Sequence, residues 1–507
     1  MDETLPDAGP LAQPGRTATE CANTGIAGLD DVLRGGLPRQ RIYLLQGSPG
    51  SGKTTLALQF LLAGAARGET SVYVTLSETE EELRGVAASH GWSLDGIVLF
   101  EFSALETSFA VDTQNTLFHP SEVELGETTQ KILEFVEKIQ PRRIVFDSLS
   151  ELRLLAGEAL RYRRQILLLK QYFTGKNCTV LFISDATREV DVELQSLAHG
   201  VLLMEKLPAQ YGATRRHLEV MKLRGVEFRS GQHDYVIAQD GIQVFPRLVA
   251  AEHSKPFPRE RLSSGVADLD HLLGGGLERG TSTLLVGPAG SGKSSTALQY
   301  VHAALMRGDG ATVFSFDESI GIFFARARGI GIELQPFVDQ GLLGVRQVDP
   351  AELSPGEFAH LIRQSTEKDQ SRLIVIDSLN GYLMAMPEEK YLIIQLHELL
   401  TYLGQQGVTT LLVIAQHGLL GSVHSPVDIT YLADTVVLFR FFEAAGQVRK
   451  AISVMKKRIG SHEDAIRELR IDASGLRVGQ PLAEFRGVLT GVPIFNGADQ
   501  TLLKEQP

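Results

Sequence analysis

Cysteine is nearly missing from this chain. Cys21 and Cys178 are the only two among 507 residues, and neither has a CxxC or histidine neighbour. That excludes a disulfide framework or a zinc site, and a reducing, cytoplasmic setting is expected. An excess of positive charge is missing too: 49 lysines and arginines against 61 acids leave a net charge of −12. No chain-wide field exists to hold DNA or an acidic membrane, so nucleic acid is not an expected partner. No uninterrupted apolar run reaches the roughly 18–20 residues of a membrane span. The opening MDETLPDAGPLAQPGRTATE is acidic and proline-containing, where a secretory leader is basic and then apolar. Neither export nor membrane insertion is expected.

What is present is a mixture suited to buried cores, 43% hydrophobic and 22% charged, in a chain long enough for two or more domains. The segment TGIAGLDDVLRGGLPRQRIYLLQGSPGSGKTTLALQF returns as SSGVADLDHLLGGGLERGTSTLLVGPAGSGKSSTALQY. One domain is therefore repeated. Lys293 follows Lys53 by 240 positions and Glu318 follows Glu78 by 240, whereas Asp377 follows Asp147 by 230. The second copy is shorter opposite the polar stretch LETSFAVDTQNTLFHPSEVELGE, where a loop tolerates changes of length. These marks predict a flexible segment at 1–20, a first domain at 21–250, a linker at 251–260, a second domain at 261–490 and a tail at 491–507. Charges and two prolines between Lys255 and Arg259 suit an exposed linker.

Short apolar runs alternate with amphipathic stretches in both copies. RIYLLQG, SVYVTL, RIVFDSL and CTVLFIS read as strands of the first copy, and TSTLLVG, ATVFSF, LIVIDSL and TTLLVIA as those of the second. TTLALQFLLAGAARG and YRRQILLLKQYF read as crossover helices. The predicted fold class is α/β: two tandem domains, each a doubly wound, mostly parallel sheet with its phosphate site at the strands' carboxyl ends.

The pattern GxxxxGK[ST] occurs twice, each time after a strand and before a helix. The first loop is Gly47, Ser48, Pro49, Gly50, Ser51, Gly52, Lys53 and Thr54, with Thr55 next; the second is Gly287, Pro288, Ala289, Gly290, Ser291, Gly292, Lys293 and Ser294, with Ser295 next. Such a loop turns successive N–H groups and a helix N-terminus toward anionic phosphates. ATP is the expected ligand, with Lys53 and Lys293 on its β- and γ-phosphates and the Thr54 and Ser294 hydroxyls on Mg²⁺. Asp147 and Asp377 each end an apolar strand, where a carboxylate would support Mg²⁺ or, alternatively, cap a helix. After the second strand come Ser77 and Glu78 in VTLSETEEEL, and Asp317 and Glu318 in FSFDESIGIF. These acids suit a general base, and equally the first turn of a helix. Lys222 and Arg224 in LEVMKLRG, like Lys456 and Arg458 in ISVMKKRIG, share a strand face by their spacing of two. They read as a solvated face or as cations donated to a neighbouring subunit's ATP.

With these residues in hand the chain resembles the KaiC-type circadian-clock ATPases from about Thr24 to about Pro493. The doubled domain, the lead-ins GLDDVLRGGLP and DLDHLLGGGL, LEVMKLRG and MKKRIGSHEDAIRELRI carry the likeness; RecA and RadA recombinases share only the core. The resemblance implies two tandem RecA-like P-loop NTPase domains in a homo-hexameric double ring with ATP between subunits, slow ATP hydrolysis, and serine/threonine autokinase and autophosphatase activity in the second ring. It also implies a trans-acting role for Lys222, Arg224, Lys456 and Arg458. Signalling to partners by nucleotide and phosphorylation state, including a small KaiB-like protein, is implied as well.

Three departures stand out. Ser77 and Asp317 occupy positions where the family has the first of two glutamates, so first-ring hydrolysis is expected to rest on Glu78. The family's Ser-Thr phosphoacceptor pair corresponds to Thr430 and Tyr431, leaving Thr430 as the candidate acceptor, with Glu318 as its base, or as a plain β-branched strand residue. The tail ADQTLLKEQP is short for one that binds an adaptor. A DNA-dependent recombinase-like motor would want basic channel loops, and LLAGEALRYRR and HGLLGSVHSPVD supply only RYRR. An ATP-held scaffold that barely hydrolyses is the other alternative.

Overall fold

The computed structural model describes residues 20–101, 120–185, 191–207, 212–384, 391–416, 430–444, 446–489 and 494–495. The chain divides into two compact units that part between Arg247 and Leu248.

The first unit is built on strands β1 (Ile42–Gly47), β2 (Ser71–Thr75), β3 (Ile97–Glu101), β4 (Arg143–Asp147), β5 (Thr179–Asp185), β6 (Gly200–Leu207), β7 (Arg215–Leu223), β8 (Gln232–Ala238) and β9 (Gly241–Phe245). They form one 9-stranded sheet in the order β9-β8-β7-β6-β1-β5-β4-β2-β3. From β6 through β3 every neighbour is parallel, and β6 to β9 continue as an antiparallel meander. β1 is central because it is apolar on both faces. Tyr43 and Leu45 enter one core with Leu56 and Phe60 of the helix Lys53–Ala65, while Ile42 and Leu44 enter the other with Ile166 of the helix Ala159–Phe173. Helices thus cover both faces, as a parallel sheet without a wet side requires.

The second unit repeats this with β10 (Ser282–Gly287), β11 (Gly310–Ser315), β12 (Leu343–Gln347), β13 (Ser371–Asp377), β14 (Thr409–Ala415), β15 (Thr435–Ala444), β16 (Gln447–Lys457), β17 (Arg467–Asp472) and β18 (Gly475–Pro481). Its order is β12-β11-β13-β14-β10-β15-β16-β17-β18. Leu285 faces one core, and Leu284 and Val286 the other.

The two doubly wound, mostly parallel sheets are those the apolar runs predict, and all eight predicted strands are present to within two residues at either end. The antiparallel strands after LEVMKLRG had no expectation attached to them. The polar stretch that distinguishes the first copy is not all loop: its end, Pro120–Glu127, opens a helix running to Ile139, with proline at the first helical position where its missing N–H costs nothing. Residues 102–119 lie outside the described residues, as do the N-terminal 1–19 and most of the tail. Within 251–260 most residues are exposed, although Phe257 lies against Gly280 and Gly407 with the Arg279 guanidinium over its ring.

Candidate nucleotide sites

Each Gly-rich loop leaves the carboxyl end of its central strand and enters a helix through a left-handed glycine, Gly52 at φ 96° and Gly292 at φ 107°. Only glycine takes this conformation without strain, and it turns the loop's N–H groups into the helix N-terminus. In the first loop the buried hydroxyls of Ser48 and Ser51 have no hydrogen-bond partner, and in the second the same holds for Ser291. Buried donors left open beside a helix N-terminus fit a phosphate group.

In the first site Thr54 Oγ1 donates to Asp147 Oδ2 at 3.3 Å, and the Tyr73 hydroxyl donates to the same oxygen. A hydroxyl and a carboxylate so placed are oxygen donors of the kind Mg²⁺ takes alongside phosphates. Burial pushes the Asp147 carboxyl above its usual range, while Tyr73, Thr54 and Lys53 pull it back. Asp147 does not cap the following helix; Ser148 holds that position, joined to Asp147 through a cis peptide bond. Lys53 Nζ spends its three donors on Gly47 O at 2.9 Å, Ser48 O at 3.2 Å and Asp185 Oδ1 at 3.0 Å. Glu78 is held by its backbone: Thr75 Oγ1 donates to its carbonyl at 2.6 Å and accepts its N–H at 3.0 Å. Its side-chain Oε2 is buried without a partner. Burial, then the charges of Asp147 and Glu82, raises its carboxyl above the ordinary glutamate range. Helix capping is done by Thr79 and Glu82 in a reciprocal box, and Glu80, Glu81 and Glu82 fill the first turn. Glu78 is left free of the capping role.

The second site has the same skeleton and different counter-ions. Ser294 bonds Asp377, whose carboxyl burial raises while Ser294 and then the Arg326 charge oppose it. Lys293 donates to Pro288 O at 2.7 Å and is buried, which pushes its ammonium down to about 8 against the pull of Asp377. Ser315 Oγ donates to Glu318 O at 2.9 Å, matching Thr75, and Ser319 caps the helix Ile320–Gly329. Both acids carry partners: the Ser378 hydroxyl donates to Asp317, and the Arg326 guanidinium pairs with Glu318.

The cation pairs lie elsewhere. Lys222 and Arg224 both reach the Ser196 carbonyl near the end of the helix Asp191–Leu197. Arg224 N bonds His199 O, and His199 N bonds Ile42 O, at the amino end of β1. Lys456 reaches the Thr430 and Ala433 carbonyls, and Arg458 the Tyr431 carbonyl and Asp434, whose other oxygen accepts Ser282 N at the amino end of β10. Each pair therefore sits one strand length, roughly 17 Å, from its own Gly-rich loop. Both strands bulge at the same place, Met221 and Met455, as the shifts of register show. Thr430 stands in an exposed turn ahead of β15 and not in a strand, at this same amino end.

Four side chains of these sites were not expected from the sequence: Tyr73, Asp185, Arg326 and Ser378. Asp185 had a legible signal, since it ends an apolar strand as Asp147 does. The other three meet the sites only through the packing of neighbouring elements. Of the basic-loop segments, the RYRR cluster lies in the helix Ala159–Phe173, while 417–428 falls outside the described residues.

Comparison with known proteins gives the same account. The family described as "ATPase: KaiC" matches twice, at residues 22–249 and 262–483. The circadian clock oscillator protein KaiC of Parathermosynechococcus lividus is 28% identical over 495 residues, covering 94% of this chain and 88% of that one. The circadian clock protein KaiC3 of Synechocystis sp. (strain ATCC 27184 / PCC 6803 / Kazusa) is 26% identical, covering 95% and 96%. The KaiC of Synechococcus elongatus (strain ATCC 33912 / PCC 7942 / FACHB-805) is 27% identical, covering 93% and 91%. Among the described residues no helix is long and apolar enough to cross a membrane. With two Gly-rich loops, two strand-end aspartates and family matches across both copies, the chain belongs to the KaiC family of ATPases.

Proposed function

We propose that the protein is a subunit of a homo-hexameric double ring that hydrolyses Mg·ATP at subunit interfaces, and that its second unit is a serine/threonine autokinase and autophosphatase acting on Thr430. Phosphorylation and nucleotide state would signal to protein partners, a small KaiB-like protein among them, in a circadian setting like that named for the relatives. The observation that carries this reading is the placement of Lys222, Arg224, Lys456, Arg458 and Thr430 at the amino ends of sheets whose own phosphate loops lie at the carboxyl ends. Charges and an acceptor so far from their own loop act on a nucleotide only when another subunit presents it.

Bound Mg·ATP supplies the transferable phosphoryl group and the metal charge that shields it. Lys53 and Lys293 would neutralise its phosphate oxygens, and Thr54 with Asp147, and Ser294 with Asp377, would hold the metal. Glu78, unpaired and raised in basicity by burial, orients and deprotonates water in the first site. In the second, Glu318 assisted by Asp317 takes the proton of the Thr430 hydroxyl of a neighbouring copy. Tyr431 beside it carries its oxygen several ångströms farther out, beyond in-line reach.

Mixing tests the trans geometry. Arg458→Ala and Lys293→Ala, each silent in second-site turnover alone, should recover part of it when co-assembled, because one contributes the intact loop and the other the intact cation. No recovery in mixed oligomers defeats the interface reading. Native mass measurement with and without Mg·ATP gives the subunit number, and phosphopeptide mapping of the same sample should find Thr430; phosphate only at other positions removes that acceptor.

A further inference from the structure

Arg326 belongs to no motif, yet it reaches the second site from the side of the helix Ile320–Gly329. Its Nη2 pairs with Glu318 Oε1 and stands 3.8 Å from Asp377 Oδ2, while its Nε and Nη1 are buried with no partner. A guanidinium with two idle buried donors is held in place by what its remaining nitrogen grips. That grip falls on one oxygen of Glu318, whose backbone is already fixed by Ser315. Among the described residues the first unit has no equivalent: the 240-residue offset brings Val86 to this position, and Glu78 keeps a bare buried oxygen.

We propose that Arg326 is a positioning residue that clamps Glu318 and brakes phosphoryl chemistry at the second site, which proceeds when the ion pair opens. The inference rests on reading Glu318 as that site's base. The ion pair engages one oxygen of this carboxylate and fixes its orientation, so the brake lowers kcat and leaves nucleotide binding alone. The second unit is thereby slow by construction, and the first is not restrained in this way.

The test uses the full chain in a Glu78→Gln background, in which turnover reports the second site. Adding Arg326→Val, which installs the first unit's residue, should raise kcat about two- to fivefold, the scale of a partly exposed ion pair, with KM for Mg·ATP within about twofold. Arg326→Lys keeps a cation of shorter reach and should restore most of the brake. Melting and binding of a fluorescent ATP analogue check the fold; should the valine variant fail them, Arg326→Gln removes the charge at similar length. With Glu318→Gln also present, turnover should drop to background whatever stands at 326. An unchanged or lowered kcat in Arg326→Val overturns the clamp, the lowered value marking Arg326 as a phosphate ligand instead. Turnover that survives Glu318→Gln defeats the base assignment, and turnover lost there but indifferent to Arg326 defeats the clamp alone.

Discussion

The two copies hold the same phosphate-binding skeleton and neutralise it in opposite ways. In the first, the loop lysine is answered by a carboxylate, Asp185, and the candidate base Glu78 is bare. In the second, no carboxylate among the described residues pairs with the buried Lys293, its ammonium is pushed down to about 8, and the candidate base Glu318 is held by Arg326. The backbone geometry that cradles phosphate tolerates little change, whereas the counter-ions around it stand on separate elements and can be exchanged one at a time. Ser77 in place of an acid suggests a weakened first site, yet the structure shows the acidic side chains there redistributed and the second pair encumbered by Ser378 and Arg326.

The sharpest way to break this comparison is to remove each base. Glu78→Gln should cut first-site turnover by about 10²- to 10³-fold, as should Glu318→Gln for the second site, with ATP still bound at both. Equal residual rates in both single variants and the double would show that neither carboxylate is the base.

A stability contrast comes next. Arg143 is fully buried at the start of β4, bonded to Glu69 and to the Asn23 and Phe60 carbonyls, and Gly64 makes room for it. In the second copy the corresponding residues are Leu373 and Ala304. Glu69→Ala strands the guanidinium and should cost about 2–4 kcal/mol. Arg143→Leu with Gly64→Ala, which copies the second unit, should fall within about 1 kcal/mol of the parent. Urea unfolding followed by Trp92, the chain's single tryptophan, reads the first unit selectively.

Asp185→Asn should tighten nucleotide binding at the first site about two- to fivefold, because Lys53 no longer leaves a carboxylate to meet phosphate; the pair is partly exposed, which keeps the effect small. Titration with an ATP analogue in a Lys293→Ala background measures it, and weaker binding would mean that Asp185 supports the bound state.

The smallest expected effect is on pH. His233 is buried, donates through Nε2 to Arg229 O and accepts Arg247 N at Nδ1, and burial depresses its pKa. The folded state therefore favours neutral imidazole, and the unfolded chain binds the extra proton first. Stability from this group is complete above the ordinary histidine value of about 6.5 and is lost as pH falls toward the depressed value. The Trp92 unfolding midpoint should fall over that window and flatten in His233→Gln.

Read along the chain, the sequence by itself determined the doubled domain, both Gly-rich loops, the strand-end aspartates and the acids that follow the second strand. Each of these rests on local physics: apolar strands that must be buried on both faces, glycines that must take a left-handed turn, and a helix that must begin where the loop ends. Tyr73, Arg326 and Ser378 were illegible because a side chain from one element reaches a site on another only once the sheet order and helix packing are fixed. The same holds for the cation pairs. Their spacing of two was plain in LEVMKLRG and ISVMKKRIG, but only the strand register placed them at the end of the sheet away from their own loops. Local geometry makes two phosphate sites, and the tertiary arrangement of charges decides what each one is free to do.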